Sequence, residues 1–274
     1  MTPAIDSHVH VWTSDASRYP RSGARKDAAA NPVTFTPGHL FNEAHPAGVE
    51  RIVLVQMSFY GFDNAYMLDA MKEYPGAFSG IAVIDHTAGA AAEMRRLAKL
   101  GVRGFRVGPN VPLDAAYMAA TWRCAAETGL AICPLLNPDG LPLLGRMAEQ
   151  YPEANIVIDH MARIGADGEI RDTDVAALCA LAKNRRVHVK VSAFYALGRK
   201  RYPYLDLAPM IRRLVDAYGP QRLMWGSDSP FQLLAGHTYA GSVSLIRERL
   251  DFLQPQDREW ILGKTAEGIF FTRR

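Results

Sequence analysis

Short apolar segments alternate along the chain with longer segments in which apolar residues recur every three or four positions. Several of the short segments are nearly continuous runs of Val, Ile and Leu, which is typical of parallel strands covered on both faces. They predict eight strands, at Ala4–Val9, Arg51–Met57, Gly80–Ile84, Val102–Val107, Ala131–Leu136, Asn155–Ile158, Val187–Val191 and Arg222–Trp225.

The longer segments have the spacing of helices that bury one face. They predict helices at Ala90–Leu100, Asp114–Thr128, Val175–Lys183, Leu207–Tyr218, Val243–Leu253 and Asp257–Phe270. In the second of these, Asp114 is the expected N-cap and Gly129 the expected C-terminal stop. Pro255 stands just before the expected start of the last helix, where proline is a common start signal.

Eight strands that alternate with about eight helices indicate βαβ units around a parallel sheet. An open doubly wound sheet is the main alternative, but no GxGxxG motif follows the first strand. The eight strands and the length of 274 residues favour closure into a barrel. We therefore predict an α/β protein, a slightly distorted (β/α)8 TIM barrel that forms a single domain over residues 1–274. Residues 11–37 are the expected first βα loop, on the catalytic face.

The composition excludes several classes of protein. The chain is 49% hydrophobic and 22% charged, and its net charge of +3 is too small a surplus to indicate a nucleic-acid partner. No segment approaches the roughly 20 apolar residues that span a bilayer, and no secretory leader is evident. Three cysteines without CxxC spacing are expected to be buried thiols. We predict a cytoplasmic protein without a membrane partner, and the sequence leaves homo-oligomerisation open.

The most informative motif is Asp6-Ser7-His8-Val9-His10, at the end of the first predicted strand. Residues two apart on a strand point to the same side, so both imidazoles are expected at the mouth of the barrel. Such a pair can hold a metal ion, polarise a carbonyl, or simply be half-buried. His160 ends the sixth strand and Asp228 follows the eighth, and the carboxyl ends of barrel strands converge on one site.

These segments resemble a known family. Ile5–His10, Val157–His160, Val189–Ser192 and Leu223–Pro230 are similar to the amidohydrolase-related group of the amidohydrolase superfamily. The resemblance is strongest to the branch of 2-pyrone-4,6-dicarboxylate lactonase and the sugar-acid lactonases, and it spans essentially the whole chain. Two further segments fit that branch, Val102–Arg106 and Ile261–Ala266.

The resemblance implies a role for each matched residue. Asp228 would be the general base that activates water, since a carboxylate is ionised at neutral pH. His8, His10 and His160 would surround the substrate carbonyl and stabilise the oxyanion. The implied substrate contacts are Gln56, Arg106, Lys190 and Ser192, and for Lys190 a paired lysine inside the barrel is an equal alternative.

Three departures from the family pattern bear on cofactor and substrate. The fifth strand has no histidine and the fourth no carboxylate, so a two-metal site is not expected. No cofactor is required in this interpretation, or one divalent ion, such as zinc, binds to His8, His10 and Asp228. After the seventh strand Tyr195-Ala196 replaces the Tyr-Arg of many lactonases, so Tyr195 and Arg199, or Arg201, become the candidate substrate contacts. Ser229-Pro230-Phe231 also replaces Trp-Pro-His.

The predicted function is hydrolysis of a lactone of a small carboxylic or sugar acid. One alternative is a zinc-dependent decarboxylase of the same superfamily, which the missing strand-five histidine disfavours. Another is a non-catalytic barrel that binds a small acid. No GxSxG elbow or P-loop is present, so serine nucleophiles and phosphoryl transfer have no support.

Overall fold

The computed structural model describes residues 4–23, 25–87 and 89–272. Eight parallel strands form one sheet in sequential order, and helices follow the strands around it, which confirms the predicted (β/α)8 TIM barrel. The strands are β1 Ala4–Val9, β2 Val49–Val55, β3 Phe78–Ala82, β4 Val102–Val107, β5 Ala131–Pro134, β6 Asn155–Ile158, β7 Val187–Ser192 and β8 Leu223–Gly226. The helices are α1 Pro37–Ala44, α2 Ala65–Glu73, α3 Ala90–Ala98, α4 Ala119–Thr128, α5 Leu141–Gln150, α6 Asp172–Ala180, α7 Ala208–Tyr218, α8 Tyr239–Ser244, α9 Pro255–Glu259 and α10 Thr265–Phe270.

Several element ends differ from the prediction. The predicted β2 and β3 lie two residues too late, because their apolar runs continue into the loops beyond the hydrogen-bonded ladder. Asp114 does not cap α4, since a short 3₁₀ turn at Ala116–Met118 precedes that helix. Gly129 does end it, in the left-handed conformation at φ 69°. In the described part of the chain, no helix combines the length and the apolar character that crossing a bilayer requires.

The helix predicted at Val243–Leu253 begins earlier, because the Thr238 hydroxyl accepts a hydrogen bond from Gly241 N–H and caps α8. A π-helical turn at Leu245–Arg249 continues α8. A second π-helical turn at Trp260–Lys264 joins α9 to α10, so the predicted last helix is continuous.

Two hydrophobic clusters stabilise the barrel. The larger one lies between the sheet and the surrounding helices. The smaller one fills the inside of the barrel, and Phe270 at the end of α10 belongs to it. The inner cluster contains Ile5, Val53, Val55, Ile81, Ala131, Cys133, Val157, Met224, Ala266 and Phe270. Polar groups above this cluster are therefore enclosed on one side by a dry, close-packed interior.

The three cysteines form no disulfide. Cys124 and Cys133 are buried, as predicted, whereas Cys179 is only half-buried.

Candidate active site

An irregularity in β1 brings both histidines of the His8-Val9-His10 motif into the barrel mouth. Ile5 packs in the inner cluster, and strict alternation would then turn His8 outward. The register between β1 and β2 shifts between Asp6 and Val9, which changes the alternation and directs His8 inward. His10 points the same way, and its Nδ1 lies 2.8 Å from the Val55 carbonyl oxygen.

The barrel closes between β1 and β8 at the level of the site. Asp228 N–H donates to the His8 carbonyl at 2.8 Å, with Asp228 in the left-handed conformation at φ 65°. The buried Asp6 carboxylate accepts from the main-chain N–H groups of His8 and Ser227 at 3.0 and 2.9 Å. Gly226 permits this close approach, because a Cβ there would lie 3.0 Å from the His8 Cβ. Asp6 thus fixes His8 and Asp228 relative to each other.

His160 is placed by a strained turn after β6. Four consecutive non-glycine residues, His160 to Arg163, have φ values between 50° and 57°. Each such residue costs about 1–2 kcal/mol relative to a right-handed one, and strain of this kind is common at functional sites. The turn directs the imidazole into the barrel mouth, where His160 Nδ1 lies 2.9 Å from the Ser192 hydroxyl of β7.

Asp228 is the centre of what we call the outer half of the site, formed by His10, His160, Tyr195, Asp228 and the Nε2 edge of His8. Asp228 Oδ1 lies 3.3 Å from His10 Nε2 and 3.6 Å from His8 Nε2, and Asp228 Oδ2 lies 3.8 Å from His160 Nε2. Tyr195 donates its hydroxyl to Oδ2 at 2.7 Å. Oδ1 is buried and accepts no hydrogen bond. One oxygen of this carboxylate is therefore held and the other is available.

Asp228 is ionised at neutral pH despite its burial. Burial raises the pKa of a carboxyl group, but the three histidines more than offset this, and the pKa of Asp228 lies below its usual value. Burial and the neighbouring carboxylate raise the pKa of Tyr195 above its usual value, so this residue stays a phenol that can donate. Burial also lowers the pKa of His160 below its usual value.

The inner half of the site consists of Asp159, Lys190, Arg106 and the Nδ1 edge of His8. Lys190 Nζ lies 3.0 Å from Asp159 Oδ1, and Arg106 Nε lies 3.5 Å from Oδ2. Asp159 and Lys190 are fully buried. Burial favours a neutral Asp159, but the charges of Lys190 and other neighbours dominate and hold its pKa well below the usual value. Asp159 and Lys190 thus form a sealed ion pair beneath the histidines, and Arg106 extends from this pair toward the barrel mouth.

The predicted substrate contacts lie in different environments. Lys190 is buried against Asp159 and His8, which matches the alternative of a paired barrel lysine. The Gln56 amide donates to the Asp63 carbonyl and so ties down the loop after β2. Arg106 reaches the barrel mouth with a side chain that is 13% exposed. Arg199 is exposed, and no hydrogen bond or ion pair of the described residues joins its side chain to the histidines or Asp228.

Two residues of the site were absent from the sequence-based prediction. Asp159 precedes His160 and is the common partner of Lys190, Arg106 and His8. Arg163 lies close enough to Tyr195 for its positive charge to lower the pKa of that hydroxyl, as Arg106 also does. Asp159 could have been inferred from its place at a strand end, whereas Arg163 depends on a left-handed turn that no sequence motif announces.

The residues predicted to hold a metal ion have suitable positions. Zinc binds nitrogen and oxygen ligands at about 2.0–2.2 Å, which places tetrahedral ligands about 3.4 Å apart. The ligand atoms of His8, His10 and Asp228 are separated by 3.2 to 3.6 Å. The unpaired Asp228 Oδ1 is also an available ligand atom. The cluster therefore fits one divalent ion by position, and β5 supplies no histidine for a second.

Comparison with known proteins identifies the family of this chain. The chain is 28% identical to the L-fucono-1,5-lactonase of Burkholderia ambifaria, over 97% of this chain and 94% of the relative. It is 28% identical to the 2-pyrone-4,6-dicarboxylate hydrolase of Comamonas testosteroni, over 85% and 79%. A solved amidohydrolase from Burkholderia multivorans with bound zinc is 26% identical, with a TM-score of 0.78 and coverage of 98% and 99%. The amidohydrolase family model matches residues 5–272, and the chain therefore belongs to the amidohydrolase family.

Proposed function

We propose that this protein is a lactonase that opens the cyclic ester of a small carboxylic or sugar acid by adding water to the ester carbonyl. The curated relatives that resemble it over most of its length include lactone hydrolases. The observation that carries the proposal is the state of Asp228, a buried and ionised carboxylate whose unpaired oxygen faces His8 and His10 while its other oxygen faces His160. This arrangement suits a general base beside an oxyanion site.

The reaction follows from the contacts of Asp228. A water molecule beside Asp228 Oδ1 gives its proton to that oxygen while its own oxygen bonds to the carbonyl carbon. The negative charge that develops on the carbonyl oxygen is stabilised by hydrogen bonds from the imidazoles of His8 and His160. The tetrahedral adduct then collapses, the ring C–O bond breaks, and protonated Asp228 gives its proton to the departing alkoxide. The product is the open hydroxy acid, and Asp228 is ionised again.

Tyr195 keeps this base in one orientation. Its hydroxyl binds Oδ2 at 2.7 Å and so turns Oδ1 toward His8 and His10. Oriented catalytic groups increase the reaction rate, because the reactive geometry is present before the substrate binds.

The proposed substrate carries a carboxylate as well as the lactone ring. Arg106 and Arg163 both place positive charge near Tyr195, and the Arg106 side chain reaches the barrel mouth. Arginine binds carboxylates in a two-point geometry, and the Arg106 contact to Asp159 involves Nε, so its terminal nitrogens remain for a ligand. Lys190 is sealed below His8, and we therefore assign substrate recognition to the two arginines.

The cluster of His8, His10 and Asp228 could hold one divalent ion. A zinc ion on His8, His10 and Asp228 would polarise the carbonyl and lower the pKa of a bound water. The hydrolysis that we propose uses the protein's own side chains, and these are sufficient for the reaction.

A panel of lactones tests the proposal. Wild-type protein is assayed on pyrone dicarboxylate, muconolactones and aldonolactones, with Asp228→Asn as the variant that keeps the size of the side chain and removes the base. We expect hydrolysis of at least one lactone by the wild type and a loss of about 10²–10⁴-fold in kcat/KM in Asp228→Asn. A variant that retains wild-type kcat/KM, while its circular dichroism spectrum is native, would contradict the assignment.

A further inference from the structure

Lys190 is a fully buried lysine that the proposed hydrolysis does not use directly. It lies on β7, inside the barrel, with its ammonium group 5.8 Å from the centre of the Phe270 ring below. Above it, Nζ lies 3.1 Å from His8 Nδ1, and beside it Nζ lies 3.0 Å from Asp159 Oδ1. A charged group in this position requires an explanation, because burying a lysine is costly unless its charge has partners.

Lys190, His8 and His10 form a row of hydrogen bonds, and the donor and the acceptor are fixed at each end of this row. At one end, the Val55 carbonyl can only accept, so His10 Nδ1 carries the proton that it shares with Val55 at 2.8 Å. At the other end, the ammonium group of Lys190 can only donate. His8 Nδ1 must then accept from Lys190, which leaves the single proton of a neutral His8 on Nε2.

The remaining contact of the row agrees with this direction. His8 Nε2 lies 3.2 Å from His10 Nε2. In neutral His10 that nitrogen is an acceptor, since Nδ1 holds the proton, so it pairs with the Nε2–H of His8. One assignment of protons therefore satisfies the whole row.

Asp159 offers His8 a competing partner, which would place the proton on Nδ1 instead. Asp159 Oδ1 lies 3.3 Å from His8 Nδ1, but it is out of line for a hydrogen bond, and neither Asp159 oxygen accepts one. The Lys190 contact at 3.1 Å does have hydrogen-bond geometry. A proton on Nδ1 would also point at an ammonium group, which has no lone pair to receive it.

We propose that the buried Lys190–Asp159 pair fixes the proton of His8 on Nε2, which makes His8 a donor to His10 in the free protein and to the substrate carbonyl when substrate is bound, and which opposes a divalent ion at His8, His10 and Asp228. Lys190 and Asp159 are thus positioning residues that act through His8. The first consequence rests on the proposed lactonase activity, and the second does not.

The opposition to a metal ion follows from the same proton. A metal ligated by His8 Nε2 needs the lone pair of that nitrogen, so the proton would have to move to Nδ1. In the native arrangement Nδ1 faces the Lys190 ammonium. If Lys190 lost its charge, a rotation of the Asp159 carboxylate, 3.3 Å away, would let it accept the Nδ1–H and give the carboxylate–histidine–metal arrangement that supports many metal sites. The charge of Lys190 therefore determines whether His8 acts as a hydrogen-bond donor or as a metal ligand.

The tautomer of His8 is measurable in the unchanged protein. Long-range ¹⁵N–¹H correlation spectra of metal-stripped, ¹⁵N-histidine-labelled wild type distinguish the protonated nitrogen of each ring, and a His8→Gln sample assigns the His8 signals. We expect His8 protonated on Nε2 and His10 protonated on Nδ1. A neutral His8 protonated on Nδ1 would overturn the proposal. This result does not involve substrate, so it stands apart from success or failure of the lactone assay.

Zinc affinity tests the second consequence, with competition against a chelator as the readout. Lys190→Met should bind zinc about 10–100-fold more tightly than the wild type, the range by which partners of a metal-ligating histidine change affinity. Lys200→Met, which removes an exposed lysine of the catalytic face, should leave zinc affinity at the wild-type value. The apolar pair Asp159→Leu/Lys190→Met should lose the gain, since no acceptor for Nδ1–H remains. Equal affinity of wild type and a folded Lys190→Met would overturn the proposal, and if that variant does not fold, the tautomer spectrum decides.

Discussion

The inner and outer halves of the site each contain a buried carboxylate, and the two have opposite surroundings. Asp159 lies against Lys190 and Arg106, inside a sealed part of the barrel. Asp228 faces three imidazoles and accepts a hydrogen bond from the Tyr195 hydroxyl, and its side chain is 8% exposed at the barrel mouth. Both carboxylates have lowered pKa values, but positive charge is the cause for Asp159 and the histidine cluster is the cause for Asp228.

This difference separates a structural carboxylate from a reactive one. A carboxylate whose charge is matched by lysine and arginine has little basicity left and holds its neighbours in place. A carboxylate at the barrel mouth, beside imidazoles rather than a lysine or arginine, can be reached by water and take its proton. The same residue type therefore performs two tasks within a few ångströms, and substitutions should affect the two tasks differently.

The largest expected effect comes from breaking the inner pair. Asp159→Asn leaves Lys190 buried without a counter-charge, and loss of one partner of a buried ion pair costs about 3–5 kcal/mol. We expect the free energy of unfolding at neutral pH, measured by urea titration, to fall by that amount. Asp228→Asn removes a carboxylate that contacts histidines and Tyr195 rather than a lysine or arginine, and its free energy of unfolding should fall by less than that of Asp159→Asn. Equal losses in the two variants would contradict the division of the site.

A smaller effect is expected in the outer half, from Tyr195→Phe. The Tyr195 hydroxyl binds the ionised form of Asp228, so it holds the pKa of that carboxyl low. Hydrogen bonds to charged groups contribute about 1.5–3 kcal/mol, which corresponds to roughly one to two pKa units. Without this bond the pKa of Asp228 rises and the base becomes protonated at higher pH. The acid limb of the kcat/KM profile should therefore move upward by about one pH unit.

The matched control for this shift is Tyr204→Phe. Tyr204 also follows β7 and is buried, but its hydroxyl contacts His237 and Gln232 rather than Asp228. The acid limb of this variant should coincide with that of the wild type. An unmoved limb in Tyr195→Phe would show that the hydroxyl does not act on Asp228.

The barrel could be predicted from the sequence because its strands are continuous apolar runs separated by amphipathic helices. The predicted bounds of three strands, β1, β4 and β6, equal the observed ones, since polar or turn residues flank the apolar runs there. Helices α1, α2 and α5 had no predicted bounds, because their apolar positions are interrupted by polar residues or begin directly after a 3₁₀ turn.

The site residues could be placed only partly from the sequence. His8, His10, His160 and Asp228 follow from strand ends that converge in a barrel, and the structure brings these four together. The role of Lys190 depends on which side chains lie beside it, and these come from strands distant in sequence. Arg163 depends on a left-handed turn whose strain is maintained by tertiary packing, which a local pattern does not encode.

The most direct test of the central claim is the rate of lactone hydrolysis before and after exhaustive chelation of the wild-type protein. The claim is that Asp228 and the three histidines, with Lys190 and Asp159 beneath them, perform the reaction without a resident ion. We expect the initial rate on the preferred lactone to be unchanged after chelation and after added zinc is removed again. A rate that disappears on chelation and returns with zinc would contradict this claim and place the chemistry on an ion held by His8, His10 and Asp228.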